Sequence, residues 1–304
     1  MSRSARSTDA RLLVGSVWAS AAFAVLSLVW GLLAGSQMIV FDGLYSFTAV
    51  LLSLLAVFAL RTAHRGADER YPWGREVWEP VAITVKAVAL GGLCVYALVG
   101  AVGELLRGGR EIAAGPAVVY AVLATAVGFA IASRLRRGSD EQSDLVRAEA
   151  AEWTGDALLG VGVLVGFLVA FVLQAVGNDH LARYVDPMMV AVTSAVYLWV
   201  PARLLAGSFR EVLSMAPSAS IQRDLRTCVD DVEQEYGFSE SFLRAAKVGS
   251  RMDIEIDFVV APTSKAQHVT EFDAVRQQID DRLEPLGYEK SMSVTFTADR
   301  KWAV

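Results

Sequence analysis

The sequence has 304 residues, of which 54% are hydrophobic and only 20% are charged, and its formal net charge is −5. Charged residues are almost absent from several long stretches before residue 216 and dense after it. This distribution excludes a soluble single-domain enzyme and a disordered protein, and the absence of a Lys/Arg-rich tract argues against a nucleic-acid partner. The two cysteines, Cys94 and Cys228, are too few for a disulfide framework.

Six apolar segments are long enough to cross a bilayer, which takes about 20 residues of helix. In chain order they are residues 12–33, 39–60, 80–103, 113–133, 157–177 and 187–202. We expect the fifth helix to begin earlier, near Leu145, and the sixth to continue to Phe209. The first segment is too long for a typical signal-peptide core and is followed at once by the second, so it is predicted to be a retained anchor.

The distribution of arginine between the loops predicts the orientation in the membrane. With the N-terminus inside, the cytoplasmic side carries 13 arginines and the outer side only Arg107, Arg110 and Arg183. The positive-inside rule therefore places both termini in the cytoplasm. The cytoplasmic arginines are Arg3, Arg6, Arg11, Arg61, Arg65, Arg70, Arg75, Arg134, Arg136, Arg137, Arg147, Arg203 and Arg210.

The segment after residue 215 has the pattern of a small soluble domain. Apolar residues recur at helical spacing over 221–236, and Gly237 follows as a C-cap. Residues 252–260 alternate between apolar and acidic, which predicts a half-exposed strand with a partner within 242–248. A second amphipathic helix at 269–283 and a last strand at 292–296 complete the order αββαβ, a ferredoxin-like α+β fold with its helices on one face of a sheet.

Three acidic residues lie inside predicted spans, where an ionisable group is a functional hypothesis by default because its burial is costly. Asp42 is followed one helical turn later by Ser46 in the second span, and Glu152 is followed by Asp156 in the fifth. Each i, i+4 pair presents two oxygen-bearing side chains on one helix face, so the two helices together could provide four ligands for a divalent cation. The alternative is that Glu152 reaches water at the cytoplasmic end of its helix and that Asp42 caps or snorkels near the outer end of its own.

Two further charged positions have simpler interpretations. Lys86 lies about two turns into the third span, and we expect its long side chain to reach the interface, although an ion pair with a site carboxylate stays open. Asp186 precedes Pro187 at the predicted start of the sixth span, where an acid is expected to cap its own helix.

Taken together, these residues resemble the cation diffusion facilitator family, also called the cation efflux proteins. The resemblance covers nearly the whole chain and depends on the six spans, the αββαβ tail and the matched acidic pairs of spans two and five. It also includes the loop 71–75 (Tyr-Pro-Trp-Gly-Arg), with Glu79 at the start of span three, and Asp186-Pro187.

The resemblance implies a homodimeric transporter that exchanges a divalent metal for protons by alternating access, and not an enzyme. Its transport site would be Asp42, Ser46, Glu152 and Asp156, with the metal as substrate and no cofactor. Gly43, Gly155 and Gly160 are expected to allow close helix approach around this site. Members of the family often bind regulatory metal in the cytosolic domain. The three histidines, His64, His180 and His268, show no ligand spacing here, and we expect His268 to be a surface residue or a helix cap.

Two departures from the family pattern affect the expected metal. Zinc-transporting members usually have His at the position of Glu152, and many have Asp at the position of Ser46. Oxygen ligands without imidazole favour harder ions such as manganese, magnesium or iron(II) over zinc, without excluding zinc. A second metal site found in some members before span three uses Asp and two His. Asp68 is present here, but Tyr71 and Arg75 replace the histidines, so we expect that site to be absent.

The sequence thus predicts a transport domain at residues 11–215, preceded by a cytosolic tail at 1–10 and followed by a cytosolic dimerisation or regulatory domain at 216–304. The predicted function is divalent cation/proton antiport across the inner cell membrane, with manganese, iron or zinc as the cargo. The competing hypothesis is a degenerate family member that acts as a non-transporting membrane scaffold or metal sensor. The metal, the proton stoichiometry, the direction of transport and a ligand role for Ser46 cannot be read from the sequence.

Overall fold

The structure is a computed structural model that describes residues 3–137 and 144–303. Within these ranges six helical segments are long and apolar enough to cross a membrane, as predicted. The helices of this part are α1 (Arg3–Ala34), α2 (Gln37–Ala63), α3 (Trp78–Leu106), α4 (Ala114–Arg137), α5 (Asp144–Ala175), α6 (Asp179–Tyr197) and α7 (Trp199–Val212). The sixth span consists of α6 and α7, which follow each other directly.

The predicted N-terminal tail and the loop between α4 and α5 lie partly outside the described residues. Most of the predicted tail at 1–10 belongs to α1, which begins at Arg3, while residues 1 and 2 lie outside the described part. The middle of the arginine-rich loop between α4 and α5, residues 138–143, also lies outside it. The predicted early start of the fifth helix is confirmed, since α5 begins at Asp144. The domain boundaries at residues 10 and 215 stay a prediction.

Many large apolar side chains on these helices are exposed. Leu33 is 81% exposed and Leu32 is 74% exposed, and similar residues occur along all six spans. In water so much exposed apolar surface would be unfavourable, whereas lipid chains are as apolar as these side chains. The exposed surface therefore agrees with helices that lie in a bilayer.

The chain forms two compact units, and the first comprises Met1–Leu55 and Lys86–Arg203. Its core has members from six helices, α1 to α6, and many of them are alanines, which allow the helix backbones to approach closely. Phe167 of α5, Ile39 of α2 and Val190 of α6 are its largest fully buried members.

The start of α6 differs from the prediction. The helix begins at Asp179, eight residues before Pro187, and Asn178 caps it by accepting a hydrogen bond from Leu181 N at 3.4 Å. The prediction that Asp186 caps its own helix is therefore wrong. Proline is tolerated inside this helix because the carbonyl that it leaves unpaired, Arg183 O, accepts a hydrogen bond from Arg110 N at 2.8 Å.

The loop that satisfies this carbonyl requires a glycine. Gly109 has φ +84°, and an added Cβ there would lie 2.5 Å from Arg183 O. Only glycine combines the left-handed backbone conformation with such a close approach. The loop after α3 is thus shaped to reach the proline-interrupted turn of α6.

The second unit comprises Ala56–Val85 and Leu204–Val304 and contains the sheet domain. The predicted order αββαβ is confirmed: α8 (Ala219–Tyr236), β1 (Glu240–Val248), β2 (Arg251–Val259), α9 (Val269–Arg282) and β3 (Glu289–Thr297). Strand β2 is central, antiparallel to β1 and parallel to β3.

One face of this sheet is covered by the two helices. Met252, Ile254, Ile256 and Phe258 alternate along β2 and pack with apolar residues of α8 and α9, including Val229 and Ile279. The predicted C-cap of α8 is confirmed, since Gly237 has φ 69°. His268 is exposed at the N-cap position of α9, where its backbone N–H donates to Glu271, so its prediction as a surface residue or helix cap is confirmed.

Candidate metal centre

The N-terminus of α2, which carries Asp42, is held by a residue of α6. Asp186 is completely buried, and its carboxylate accepts hydrogen bonds from Ser36 Oγ at 2.6 Å, Gln37 N at 2.8 Å and Met38 N at 3.3 Å. Ser36 Oγ in turn accepts from Ile39 N at 3.2 Å. The first three amide groups of the helix are therefore all paired, and the carboxylate also complements the positive end of the helix dipole.

Asp42 lies a little over one turn into α2 and is half-buried. Its Oδ2 accepts a hydrogen bond from the hydroxyl of Tyr120 on α4, at 3.1 Å. The next residue, Gly43, lies against α1, since an added Cβ would be 2.8 Å from Leu28 N. The prediction that Gly43 permits a close helix contact is confirmed.

Ser46 follows Asp42 by one turn and is also half-buried. Among the described residues its side chain has no hydrogen-bond partner, so the lone pairs of its oxygen are available to a ligand. The structure thus leaves Ser46 free to act as the fourth ligand, but that role stays a prediction.

Glu152 and Asp156 lie one turn apart on α5, and both are exposed. Within the part of the chain that the structure describes, neither carboxylate forms a hydrogen bond or an ion pair. Helix α5 is placed by close contact with α4: an added Cβ on Gly160 would lie 2.8 Å from Thr125 Oγ1, which confirms the prediction for Gly160. The same prediction for Gly155 is wrong, because no atom of the described residues lies within 4 Å of its Cβ position.

The carboxylates lie near one another, but they do not form a complete metal-binding site. Asp156 lies within electrostatic range of both Glu152 and Asp42, although these side chains come from two helices. Over residues 3–137 and 144–303, however, no group of three or more His, Cys, Asp or Glu is close enough to hold a metal ion. The assembled four-ligand site therefore stays a prediction, which would require the side chains of α2 and α5 to approach further.

Sequence reasoning missed three tyrosines beside these acids. Besides Tyr120, the rings of Tyr45 on α2 and Tyr197 on α6 pack with centroids 4.8 Å apart. Tyr197 lies within electrostatic range of Asp42 and Asp156. Tyrosines within otherwise apolar spans are the signal that could have indicated polar neighbours, because a buried hydroxyl usually finds a hydrogen-bond partner.

A fourth acid, Glu149, was also missed. Its carboxylate accepts a hydrogen bond from Ser16 on α1, and Ser16 Oγ accepts from Trp153 Nε1 at 2.6 Å. Glu149, Trp153 and Asp156 fall at i, i+4 and i+7, the spacing of one helix face. This spacing was the available signal, and it extends the acidic face of α5 by one turn before Glu152.

The loop before α3 has its acid already paired. Asp68 accepts backbone hydrogen bonds from Tyr71 N at 2.8 Å and Arg70 N at 3.0 Å, and it forms an ion pair with Arg75. The Tyr71 amide and the Arg75 guanidinium hold the pKa of Asp68 below its usual value. The guanidinium also lies over the Tyr71 ring, 4.4 Å from its centroid. The residues that replace the family's histidines thus supply a fixed cation, and the absence of a second metal site stays a prediction.

Lys86 of α3 is half-buried. It has no ion pair with any residue in the described ranges, so the structure provides no support for pairing with a site carboxylate. That its side chain reaches the membrane interface stays a prediction.

Three relatives illustrate what the chain is similar to. The magnetosome protein MamB of Magnetospira sp. (strain QH-2) is 23% identical over 260 residues, covering 84% of this chain and 85% of that protein. The zinc transporter ZitB of Escherichia coli (strain K12) is 27% identical over 209 residues, 69% of this chain and 64% of that protein. The metal tolerance protein C1 of Arabidopsis thaliana is 27% identical over 272 residues, 82% of this chain and 55% of that protein. The chain thus spans less than two thirds of the last two proteins.

The family model described as the cation efflux transmembrane domain matches residues 13–213, which include all six spans and the four predicted site residues. This match extends over more than half of the chain. The protein is therefore a multi-pass membrane protein that belongs to the cation efflux family.

Proposed function

We propose that the protein exports a divalent metal cation in exchange for protons, through a site formed by Asp42, Ser46, Glu152 and Asp156. The observation that carries the proposal is that acids of two membrane-spanning helices, Asp42 of α2 and Glu152 and Asp156 of α5, lie within the matched cation efflux domain. Acids in membrane-spanning helices are costly and usually mark an ion or proton pathway.

Coupling follows from the chemistry of the ligands. A divalent cation binds deprotonated carboxylates, so binding releases any protons that they hold. Glu152 and Asp156 have no cationic partner among the described residues, which leaves protons and metal ions to compete for the same oxygen atoms. Exposure of this site to alternate sides of the membrane would convert that competition into antiport.

The ligand set bears on the identity of the ion. Four oxygen donors without imidazole favour manganese or iron(II), while zinc prefers sites with nitrogen or sulfur. Relatives whose names identify them as zinc transporters and a metal tolerance protein keep zinc among the candidates. We therefore propose manganese, iron or zinc as the cargo.

The proposal includes the orientation and the assembly. Both termini face the cytoplasm, as the arginine distribution predicts, and the protein lies in the inner cell membrane. Two copies form a homodimer, with residues 216–304 as the cytosolic dimerisation or regulatory domain and residues 11–215 as the transport domain.

The test is metal-driven proton movement in proteoliposomes that contain the full-length protein and a pH-sensitive dye. We expect the wild type to release protons when manganese, iron(II) or zinc is added, and Asp156→Ala to abolish that release while the oligomeric state is unchanged. Asp179→Asn is the matched control, because Asp179 is an exposed acid in the first turn of α6. Undiminished proton release from Asp156→Ala would refute the proposal.

A non-transporting scaffold is the second candidate. One observation favours it: the described acids do not form a ready metal-binding group. Survival of a metal-sensitive host across a panel of divalent salts separates the two. Improved survival that depends on Asp156 supports transport, and unchanged survival with normal membrane insertion supports the scaffold.

A further inference from the structure

The hydroxyl of Tyr120 links Asp42 to a second helix. It lies 3.1 Å from Asp42 Oδ2 and 2.6 Å from Ser27 Oγ on α1. Each hydroxyl carries one hydrogen, so when Tyr120 donates to the carboxylate, the contact with Ser27 uses the hydrogen of Ser27, which also has Phe23 O as an acceptor at 2.8 Å. Three helices, α1, α4 and α2, therefore meet in one chain of hydrogen bonds that ends on a proposed metal ligand.

The position of this hydroxyl is fixed by its surroundings. Tyr120 is only 8% exposed, and its ring lies 6.3 Å from each of the rings of Phe23 and Trp30. Trp30 is itself anchored by a hydrogen bond from Nε1 to Pro116 O at 3.0 Å. Since the ring has little freedom to move, its hydroxyl stays directed at Asp42.

A carboxylate oxygen that accepts such a hydrogen bond is less available to a cation. With Oδ2 occupied, Asp42 offers Oδ1 alone and binds a metal through one oxygen. If Oδ2 were free, the same carboxylate could bind through both oxygens and raise the coordination number by one. Zinc is usually four-coordinate, whereas manganese accepts six oxygen ligands.

We propose that Tyr120 is a specificity-determining residue, which restricts Asp42 to a single metal bond and so shifts the preference of the site from manganese towards zinc. The inference rests on the proposed function, since it assigns Asp42 as a ligand. It also explains how a site without imidazole could still accept zinc, because the coordination number would be limited by a residue that never contacts the metal.

The experiment is isothermal titration of the purified full-length protein with manganese and with zinc, comparing wild type and Tyr120→Phe. Loss of a hydrogen-bond partner of a metal ligand typically changes metal affinity by about 10–100-fold. We expect the ratio of the two dissociation constants to move towards manganese by about tenfold or more. If Tyr120 contributed to folding alone, Tyr120→Phe would instead weaken the binding of both ions by the same factor.

Two further variants make the test decisive. Ser27→Ala is the matched control, because it removes a neighbour of Tyr120 and leaves the tyrosine hydroxyl able to donate to Asp42. We expect its ratio to stay within about threefold of wild type, less than the smallest change expected for loss of a ligand's partner. Tyr120→Met also lacks the hydroxyl and fills the space flexibly, so it replaces the phenylalanine variant if that protein does not fold.

The outcomes separate this inference from the proposed function. If the wild type binds metal but Tyr120→Phe leaves the ratio unchanged, or if Ser27→Ala shifts it equally, the inference is overturned and the proposed function is not. If the wild type binds neither ion, the proposed function fails and the inference with it.

Discussion

Replacing Asp186 tests how α2 is held in place. Asp186→Ala removes the acceptor for Gln37 N and Met38 N, and these amides cannot bond within their own helix because they lie in its first turn. An orphaned buried donor costs about 1–3 kcal/mol, so two of them cost about 2–6 kcal/mol. Removal of a buried charge offsets part of this cost, and we expect a net loss of about 2–4 kcal/mol in the free energy of unfolding.

Asp186→Asn provides the comparison. Its amide oxygen can still accept one of the two backbone hydrogen bonds, but it lacks the negative charge that interacts with the helix dipole. We therefore expect a loss about half as large as that of the alanine variant, because one of the two donors stays paired. Because the same residue positions the helix that carries Asp42, both variants should also weaken metal binding.

The assay is denaturant or thermal unfolding of the detergent-solubilised full-length protein, followed by tryptophan fluorescence. Two results would contradict this role of Asp186: an Asp186→Ala variant as stable as wild type, or alanine and asparagine variants that are equally destabilised. The first result would mean that solvent or another group replaces the acceptor, and the second that the hydrogen bonds contribute nothing beyond the charge.

Three further predictions concern particular contacts. Gly43→Ala should lower the free energy of unfolding by about 1–3 kcal/mol in the same assay, because its Cβ would lie 2.8 Å from Leu28 N. Gly155→Ala, which has no described atom within 4 Å of the new Cβ, should be as stable as wild type, and equal losses would contradict the contact. Gly249→Ala should destabilise more than Gly66→Ala in thermal unfolding. Both glycines have positive φ, but an added Cβ at Gly249 would lie 3.1 Å from the backbone oxygen of Glu76 and 2.8 Å from a carboxylate oxygen of Glu79, whereas no described atom lies within 4 Å at Gly66. The loop around Asp68 should become more protease-sensitive in acid: its pKa is lowered in the folded protein, so its stabilisation is complete above the ordinary carboxyl pKa and is lost as the pH falls through the lowered one. Asp68→Asn should remove this pH dependence of loop cleavage, and an unchanged cleavage profile would contradict the prediction.

The elements of the fold could be predicted because each depends on a local pattern. The long runs without charge could only be membrane helices, and the alternation of apolar and acidic residues in 252–260 could only be a strand with one buried face. Gly237 ends α8 in the left-handed conformation that its residue type favours. None of these inferences needed knowledge of a distant part of the chain.

Asp186 and Pro187 show where local reasoning fails. An acid before proline usually marks the start of its own helix, but here the acid caps α2 and the proline lies within α6. The exception is possible because a distant amide, Arg110 N, pairs with the carbonyl that the proline leaves free. Such a partner is some 70 residues away in the sequence and leaves no local signal.

The candidate site was predictable in its acids but not in their surroundings. Helical spacing places Asp42 and Ser46 on one face of α2, and Glu152 and Asp156 on one face of α5. The hydrogen bond from Tyr120 depends on how α4 packs against α2, which the spacing within one helix cannot show. For the same reason the spacing could not distinguish Gly160, which contacts α4, from Gly155, whose Cβ position has no neighbour among the described residues.

The central claim is that side chains of α2 and α5 bind one metal ion, and anomalous diffraction from crystals grown with manganese tests it most directly. We expect one anomalous peak in each protein chain, within bonding distance of Asp42, Glu152 and Asp156. A peak bound only by other residues, or no peak at concentrations that saturate binding in solution, would contradict it.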